Sequence, residues 1–150
     1  MKLAITDANI FIDLFYLDLV RDFFELDIEL FTTLEVINEL DDGQQEILIK
    51  SSKLIILTSE NQDYLSEFES LSSRLSIADL SIFHHAREIN AGIITGDSLL
   101  RRLGLEYGFE VHGILWVMER FVSVETLEKE TAIRKQEDLM EFNKRLPADA

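Results

Sequence analysis

Short apolar runs alternate with longer amphipathic segments along the chain, a pattern that predicts strands separated by helices. Apolar runs with the length of buried strands occupy residues 3–5, 28–32, 53–58, 91–97 and 109–112. Helical periodicity or capping residues mark 8–27, 33–42, 44–51, 60–73, the stretch from Ser76, 98–103, 113–122 and 124–146. Strands and helices in this order are typical of an α/β fold with a mostly parallel sheet.

The predicted helix from Ser76 has a carboxylate on its apolar face. Asp79, Ile82, Phe83 and Ala86 stand at positions i, i+3, i+4 and i+7, which share one side of a helix. After the second strand, Thr32 or Thr33 is the predicted cap of a helix that reaches about Asp42 and ends at Gly43. Glu39 lies on that helix beside Leu40, at the border of its inward stripe.

Composition predicts one domain with a strongly acidic surface. A length of 150 residues with 47% apolar residues is enough for one core, so we expect a single domain over 1–150 with a charged helical tail from about residue 124. The formal net charge is −15. An anionic substrate would be repelled unless cations or a local basic patch intervene.

The same composition limits the type of site and the compartment. Cysteine is absent, so the chain has no disulfide framework and no thiolate metal site, which fits a cytoplasmic location. Asp7 and Asp13 interrupt the N-terminal apolar stretch, unlike a signal peptide. No stretch approaches the roughly 18–20 apolar residues of a membrane span, so no membrane association is expected.

Two of the apolar runs end alike, with an acid after the strand and a helix directly after the acid. Asp7 follows the first run and Asp97 ends the fourth. In parallel sheets, ligands bind beyond the carboxyl ends of the strands, where the strand order reverses. We therefore expect Asp7 and Asp97 at one crevice, with Asp79 directed to the same place from a helix N-terminus.

Each acid also has a purely structural explanation. Asp7 and Asp97 could be helix caps, Asp79 could complete a capping box that begins at Ser76, and Glu39 could be a solvated helix residue. The combination favours function, because two acids end apolar strands and two lie on or beside apolar helix faces, where an unpaired carboxylate is costly. Clustered carboxylates take up protons or bind a metal, and their hard oxygen ligands favour Mg²⁺ or Mn²⁺. Such ions support phosphodiester hydrolysis.

Four segments of the chain together resemble a known family. ITDANIFIDL, VINEL, SIADLSIFHHA and IITGDSLLRRL, in this order and at these separations, are similar to a PIN domain of the small, single-domain kind found as toxins in toxin–antitoxin pairs. The later GILWVMERFV and Arg145-Leu146-Pro147 extend the resemblance over nearly the whole chain. The resemblance implies a three-layer α/β/α fold with a central, mostly parallel sheet of about five strands.

The resemblance further implies a metal-dependent endoribonuclease that leaves a 5′-phosphate and a 3′-hydroxyl. Its catalytic residues and ligands for Mg²⁺ or Mn²⁺ would be Asp7, Glu39, Asp79 and Asp97. Asn9 and Thr95 stand at family positions that support the site by hydrogen bonding. Leu99 and Leu100 stand where some relatives have a further acid or Asn, so a second metal would be weakly held. The number of bound metals, one or two, is left open. Glu35, one turn before Glu39, is an alternative to it.

Other polar residues near these segments have weaker functional arguments. Arg101 and Arg102 follow Asp97 on the same helix and are candidate contacts to RNA phosphates, although pairing with the surplus acids explains them equally well. His84 and His85 are interpreted as helix-surface residues, and His112 as a strand-end residue without chemistry.

The segment 8–27 carries the partner hypothesis because it is apolar on several faces, so a helix there must be buried against two surfaces. The simpler expectation is core packing plus a homodimer interface. The sharper hypothesis is a groove for the hydrophobic helix of an antitoxin protein. The aromatic residues that would form this surface are Phe11, Phe15, Phe23 and Phe24.

Three other functions remain to be weighed against a ribonuclease. A catalytically inactive PIN-fold binding or regulatory module is the main alternative, because a net charge of −15 repels RNA. A phosphoacceptor receiver domain would need paired acids at Asp7 and a Lys near His112, and a phosphotransferase of the haloacid-dehalogenase type would need an Asp in place of Asn9. The chain has none of these residues, so both are disfavoured.

Overall fold

The computed structural model describes residues 1–59, 64–71 and 73–143. Its centre is a sheet of five strands, all parallel, in the order β3-β2-β1-β4-β5. The strands are β1 Leu3–Thr6, β2 Glu29–Thr33, β3 Leu54–Leu57, β4 Gly92–Ile94 and β5 Val111–His112. The predicted α/β class and the parallel sheet of about five strands are confirmed.

Helices flank this sheet in a three-layer α/β/α arrangement. They are α1 Ala8–Tyr16, α2 Val20–Phe24, α3 Leu34–Ile37, α4 Asp42–Lys50, α5 Tyr64–Glu67, α6 Ile77–Ile89, α7 Ser98–Glu106, α8 Ile114–Ser123 and α9 Lys129–Phe142. Within the described ranges, none of the helices combines the length and apolar character needed to cross a lipid bilayer.

The strand order places the ends of β1 and β4 side by side. The chain runs from β1 outward through β2 to β3, and then continues on the other side of β1 with β4 and β5. Thr6 is paired with Ile94, and the Asp7 N–H extends the ladder by donating to the Ile94 carbonyl oxygen at 2.9 Å. The strand order therefore reverses between β1 and β4, where parallel sheets commonly bind ligands.

The position of β1 in the core explains why its sequence does not alternate between apolar and polar residues. Ala4 and Ile5 are both completely buried, although their side chains point to opposite faces of the sheet. Parallel strands covered by helices on both faces are expected to be apolar throughout. On the covering helices, Phe11 of α1 and Phe83 of α6 are also completely buried.

The first helical segment is two helices, not one helix over 8–27 as predicted. Asp18 separates α1 from α2 in a left-handed conformation, with φ of 57°. Asp is among the few residues other than glycine that tolerate this region. Leu17 and Leu19 on either side of Asp18 are buried, so the apolar pattern continued through a turn that neither Gly nor Pro announced.

The helix predicted over 33–42 was too long. Thr33 does cap α3, since its Oγ1 accepts from the Val36 N–H at 3.1 Å, but α3 ends at Ile37. Asp41 and Gln44 then form a reciprocal capping box that begins α4. Gly43 lies in the first turn of α4 and does not end a helix.

The predicted tail from about residue 124 is helical over much of its described part. In residues 124–143 the structure shows one helix, α9. The end of the predicted helical segment at Leu146 and the Arg145-Leu146-Pro147 segment lie outside the described residues. The amphipathic helix predicted over 60–73 corresponds to α5 and a short 3₁₀ turn at Glu69–Leu71, while 60–63 and 72 lie outside the described residues.

Helix α9 packs back on α1 through specific contacts. The rings of Tyr16 and Phe142 are stacked, with centroids 4.0 Å apart. The Asn143 side-chain amide donates to both oxygens of the buried Asp13, at 2.9 and 3.1 Å. These contacts attach the end of the described chain to the helix that follows Asp7.

Candidate active site

Asp7 lies at the junction of β1 and α1 and is 5% exposed. Its Oδ1 accepts from the Ala8 N–H at 2.8 Å, so the predicted capping role is present. Its Oδ2 accepts from the Thr95 hydroxyl at 2.7 Å and from the Asn9 amide at 3.1 Å. Burial raises the pKa of the Asp7 carboxyl, these hydrogen bonds oppose the rise, and nearby Asp97 adds to it.

Asn9 and Thr95 also join the ends of β1 and β4. The Asn9 side-chain oxygen accepts from the Gly96 N–H at 2.7 Å, and the Thr95 hydroxyl accepts from the Asp97 N–H at 3.1 Å. The same two side chains that donate to Asp7 therefore position the loop that carries Asp97. Their contribution to catalysis stays a prediction.

Asp97 is the N-cap of α7. Its Oδ1 accepts from the Leu100 N–H at 2.9 Å, as the structural explanation predicted. Among the residues that the structure describes, none donates a hydrogen bond to its other oxygen. Asp97 is half-buried, so one oxygen shapes the helix start and the other is available to a ligand.

Asp79 completes the capping box that was predicted from Ser76. The Asp79 N–H donates to the Ser76 hydroxyl and the Ser76 N–H donates to Asp79 Oδ2, both at 3.1 Å. Burial raises the pKa of Asp79 to about 6, with Asp7 and Asp97 contributing through their negative charge. The capping role and the proximity to the other acids therefore coexist in one side chain.

Glu39 follows α3 in the turn before α4, so its predicted place on a helix is wrong. The residue is exposed as a whole, but partial desolvation of its carboxyl group raises its pKa, and the charges of Asp7 and Asp79 raise it further. Glu35, the alternative acid, has one buried oxygen without a hydrogen bond from any described residue and acts electrostatically on His85. The structure therefore groups Glu39, not Glu35, with the other acids.

These four acids form one electrostatic cluster. Burial and mutual repulsion raise the pKa of Asp7, Glu39 and Asp79, and Asp97 contributes to the shifts of Asp7 and Asp79. In the described part of the chain, none of the four makes a salt bridge with Lys or Arg. Protons or bound cations must therefore neutralise the cluster.

The donor chemistry of this acidic cluster fits a hard divalent cation, since its charged donors are all carboxylate oxygens. As the side chains stand, no three His, Asp or Glu side chains among residues 1–59, 64–71 and 73–143 are close enough to hold a metal ion. A cation bound by three or more of these carboxylates would therefore require them to move closer, whereas one or two carboxylates with water ligands would not.

Of the two histidines that were predicted on a helix surface, His84 and His85, one is buried. His84 lies 2.6 Å from Glu67, which also accepts from Arg87 at 2.8 Å. His85 is 7% exposed, so its interpretation as a helix-surface residue is wrong. Burial lowers the pKa of His85, and its Nε2 has no hydrogen-bond partner among the described residues.

Arg101 and Arg102 lie exposed on α7, beside a pocket that also includes Asp97. Trp116 of α8 lines this pocket and stacks on His112 at the end of β5, with ring centroids 4.3 Å apart. Trp116 was not identified from the sequence. Its only signal was an aromatic residue shortly after the last strand, and the strand order needed to bring it near Asp97 was not known.

Two of the four aromatic residues proposed as a partner surface belong to the core. Phe11 and Phe23 are completely buried and meet edge to face, with centroids 6.3 Å apart. In this conformation they offer no surface to a partner. Phe15 and Phe24 are half-buried and line a groove of about 850 Å³ next to α4.

Comparison with known proteins agrees with this architecture. A family model described as a PIN domain matches residues 3–148. No curated protein matches the chain.

Proposed function

The chain belongs to the PIN domain family, a superfamily of nucleases, and we propose that it is a metal-dependent endoribonuclease. The five-stranded parallel sheet flanked by helices is the PIN fold. The proposed ligands for Mg²⁺ or Mn²⁺ are the four acids of the cluster, Asp7, Glu39, Asp79 and Asp97.

The observation that best supports this proposal is the environment of Asp7. A carboxylate that is 5% exposed receives three hydrogen bonds, from Ala8, Asn9 and Thr95, and all three donors are neutral. Neutral donors orient the carboxylate and reduce its desolvation cost without cancelling its charge. The negative charge at the switch point of the sheet therefore remains available to a cation.

The residues around the acidic cluster have different proposed roles. Asn9 and Thr95 hold Asp7 and the Asp97 loop in one arrangement, and Ser76 positions Asp79 at the start of α6. When bound, the divalent cation supplies positive charge for the phosphodiester and lowers the pKa of the attacking water. This positive charge also reduces the repulsion between RNA and a chain of net charge −15.

The decisive assay is Mn²⁺- or Mg²⁺-dependent cleavage of total RNA by purified protein free of any partner. Asp97→Asn should reduce cleavage by about 100-fold or more, since cation-mediated stabilisation is worth several kcal/mol and each 1.36 kcal/mol is ten-fold. Asp7→Asn should do the same. Asp41→Asn is the matched control, because Asp41 is also an N-cap and Asn caps a helix as well as Asp.

Equal metal-dependent cleavage by wild type and both site variants would refute the proposal. The inactive PIN-fold module makes a different prediction. Calorimetric titration with Mn²⁺ at near-millimolar concentration should then show no binding, and RNA should remain intact with every preparation.

We further propose that the protein is the cytoplasmic toxin of a toxin–antitoxin pair and forms a homodimer. The support is the resemblance to single-domain toxins and the partly exposed Phe15 and Phe24 beside their groove. Light scattering should show a dimer, or a complex with a small protein encoded beside this gene. A stable monomer that binds no such protein would contradict both expectations.

A further inference from the structure

A pocket of about 440 Å³ opens directly beside Asp97, between α7 and the start of α8. One wall is a single face of α7, formed by Ser98, Arg101, Arg102 and Leu105 at helical spacing. The facing wall is the segment from Gly113 to Trp116. Small-molecule sites are typically about 300–1,000 Å³, so this pocket is large enough for one nucleotide but not for a folded element.

The apolar part of the pocket combines an aromatic ring with aliphatic side chains. The Trp116 ring lies nearly parallel to the His112 ring, at an interplanar angle of 10°, and the tryptophan is half-buried. His112 therefore covers one face of the indole, and Trp116 is among the residues that line the pocket. Leu105, which is 55% exposed, and the half-buried Leu115 lie in the same lining. Such a surface suits a flat, weakly polar group.

Two arginines bring positive charge to the pocket, beside the Asp97 carboxylate, in an otherwise acidic protein. Neither Arg101 nor Arg102 forms a salt bridge with an acid in the described ranges, although the chain has 29 acidic residues against 14 Lys and Arg. Gly113 lies next to Arg101, since a Cβ at this position would be in ordinary van der Waals contact with an Arg101 guanidinium nitrogen, 3.6 Å away. The pocket thus has two arginines that are not neutralised by these acids.

We propose that this pocket binds one nucleotide of single-stranded RNA, next to the phosphate that the acidic cluster cleaves. The base stacks on Trp116 between the leucines, and Arg101 and Arg102 bind the adjoining phosphate. Unpaired bases commonly bind proteins through aromatic stacking combined with arginine contacts. The inference rests on the proposed ribonuclease function, because Asp97 belongs to both the pocket and the acidic cluster.

Trp116 is the only tryptophan of the chain, so its fluorescence reports on this pocket alone. We would titrate the protein with a 2′-O-methyl oligoadenylate in EDTA, where binding is measured without cleavage. The expected result is saturable quenching of Trp116. An oligomer of the same length with abasic sugars should bind more weakly and quench little.

Two variants test the residues separately. Arg101→Ala combined with Arg102→Ala should weaken binding about ten-fold or more and lower the slope of log affinity against log salt by about 0.7, the value for one neutralised phosphate of a single strand. Trp116→Ala, followed by anisotropy of a labelled oligomer, should weaken binding by about 5- to 150-fold. Arg74→Ala combined with Arg134→Ala is the matched charge control, and Tyr16→Ala replaces an exposed stacked aromatic residue elsewhere.

The outcomes separate this inference from the proposed function. The inference is overturned if the wild type cleaves RNA with metal but shows no saturable quenching, or if both pocket variants keep full affinity. Either result leaves the proposed ribonuclease function intact. Pocket-dependent binding without any cleavage supports the nucleotide pocket and refutes the ribonuclease. Equal binding of an oligoglutamate of the same charge would show a surface for an acidic protein partner and would also overturn the inference.

Discussion

Replacing Asp79 with asparagine should stabilise the protein at about pH 8 and leave its stability unchanged below about pH 4. Burial and the charges of Asp7 and Asp97 raise the pKa of Asp79 from 3.8 to about 6. An acid whose pKa is raised by folding binds its proton more tightly in the folded state. Its contribution to stability is therefore complete below about pH 3.8 and is lost as the pH rises through about 6.

The size of the gain follows from that difference in pKa. At 1.36 kcal/mol per pKa unit, a rise from 3.8 to about 6 corresponds to about 3 kcal/mol. Asp79 is only half-buried and solvent screens part of the interaction, so the expected gain is about 1–2 kcal/mol. The side-chain oxygen of the introduced asparagine can still accept from the Ser76 N–H, so the capping box should lose little. For this chain length, each 1 kcal/mol raises Tm by about 2–4 °C.

Urea unfolding followed by circular dichroism, in EDTA and at about pH 4, 6 and 8, measures the effect. Asp41→Asn is the matched control, because Asp41 belongs to an exposed capping box of α4. Its stability difference from wild type should change little between pH 6 and 8. The reasoning fails if Asp79→Asn is no more stable than wild type at pH 8, or if its gain is the same at all three values.

Two further predictions concern packing away from the acids. Asn143→Ala removes two hydrogen bonds to the buried Asp13 carboxylate. It should lower the free energy of unfolding, measured in urea, by about 2 kcal/mol. A loss below about 0.5 kcal/mol would contradict the anchoring of α9 through this contact. Phe11→Ala should cost about 3–5 kcal/mol because Phe11 is completely buried, whereas Phe24→Ala should cost less; equal losses in the two variants would be inconsistent with the different burial of the two rings.

Local sequence signals were sufficient for the strands and for several helix starts. The apolar runs predicted all five strands, since each is short and lies between polar or turn residues. Thr33 was one of two candidate caps, and Asp97 and the pair of Ser76 with Asp79 were identified as possible caps, because a cap depends only on residues within the next turn. The resemblance to PIN domains, drawn from four segments, is confirmed by the family match.

The sequence reasoning missed helix ends and side-chain environments that depend on neighbouring elements or on contacts between distant parts of the chain. Helix α3 ends at Ile37, and the reciprocal capping box of Asp41 and Gln44 begins a separate helix, α4. A left-handed Asp18 breaks the first apolar segment without Gly or Pro. Burial of His85 depends on which face of α6 is covered by other elements. Trp116 reaches the neighbourhood of Asp97 only through the pairing of β4 with β5.

The neutral partners of Asp7 show how stability and the proposed chemistry compete at one residue. Thr95 donates to Asp7 across 88 positions of sequence, so this hydrogen bond also ties β4 to β1. A Lys or Arg at position 95 or 9 would neutralise the carboxylate and remove the repulsion that raises the pKa of Asp79 and Glu39. It would also fill the place of a cation. Hydroxyl and amide donors hold the strands together but leave the negative charge of the acidic cluster in place. This is expected where a functional site is retained although it lowers the stability of the fold.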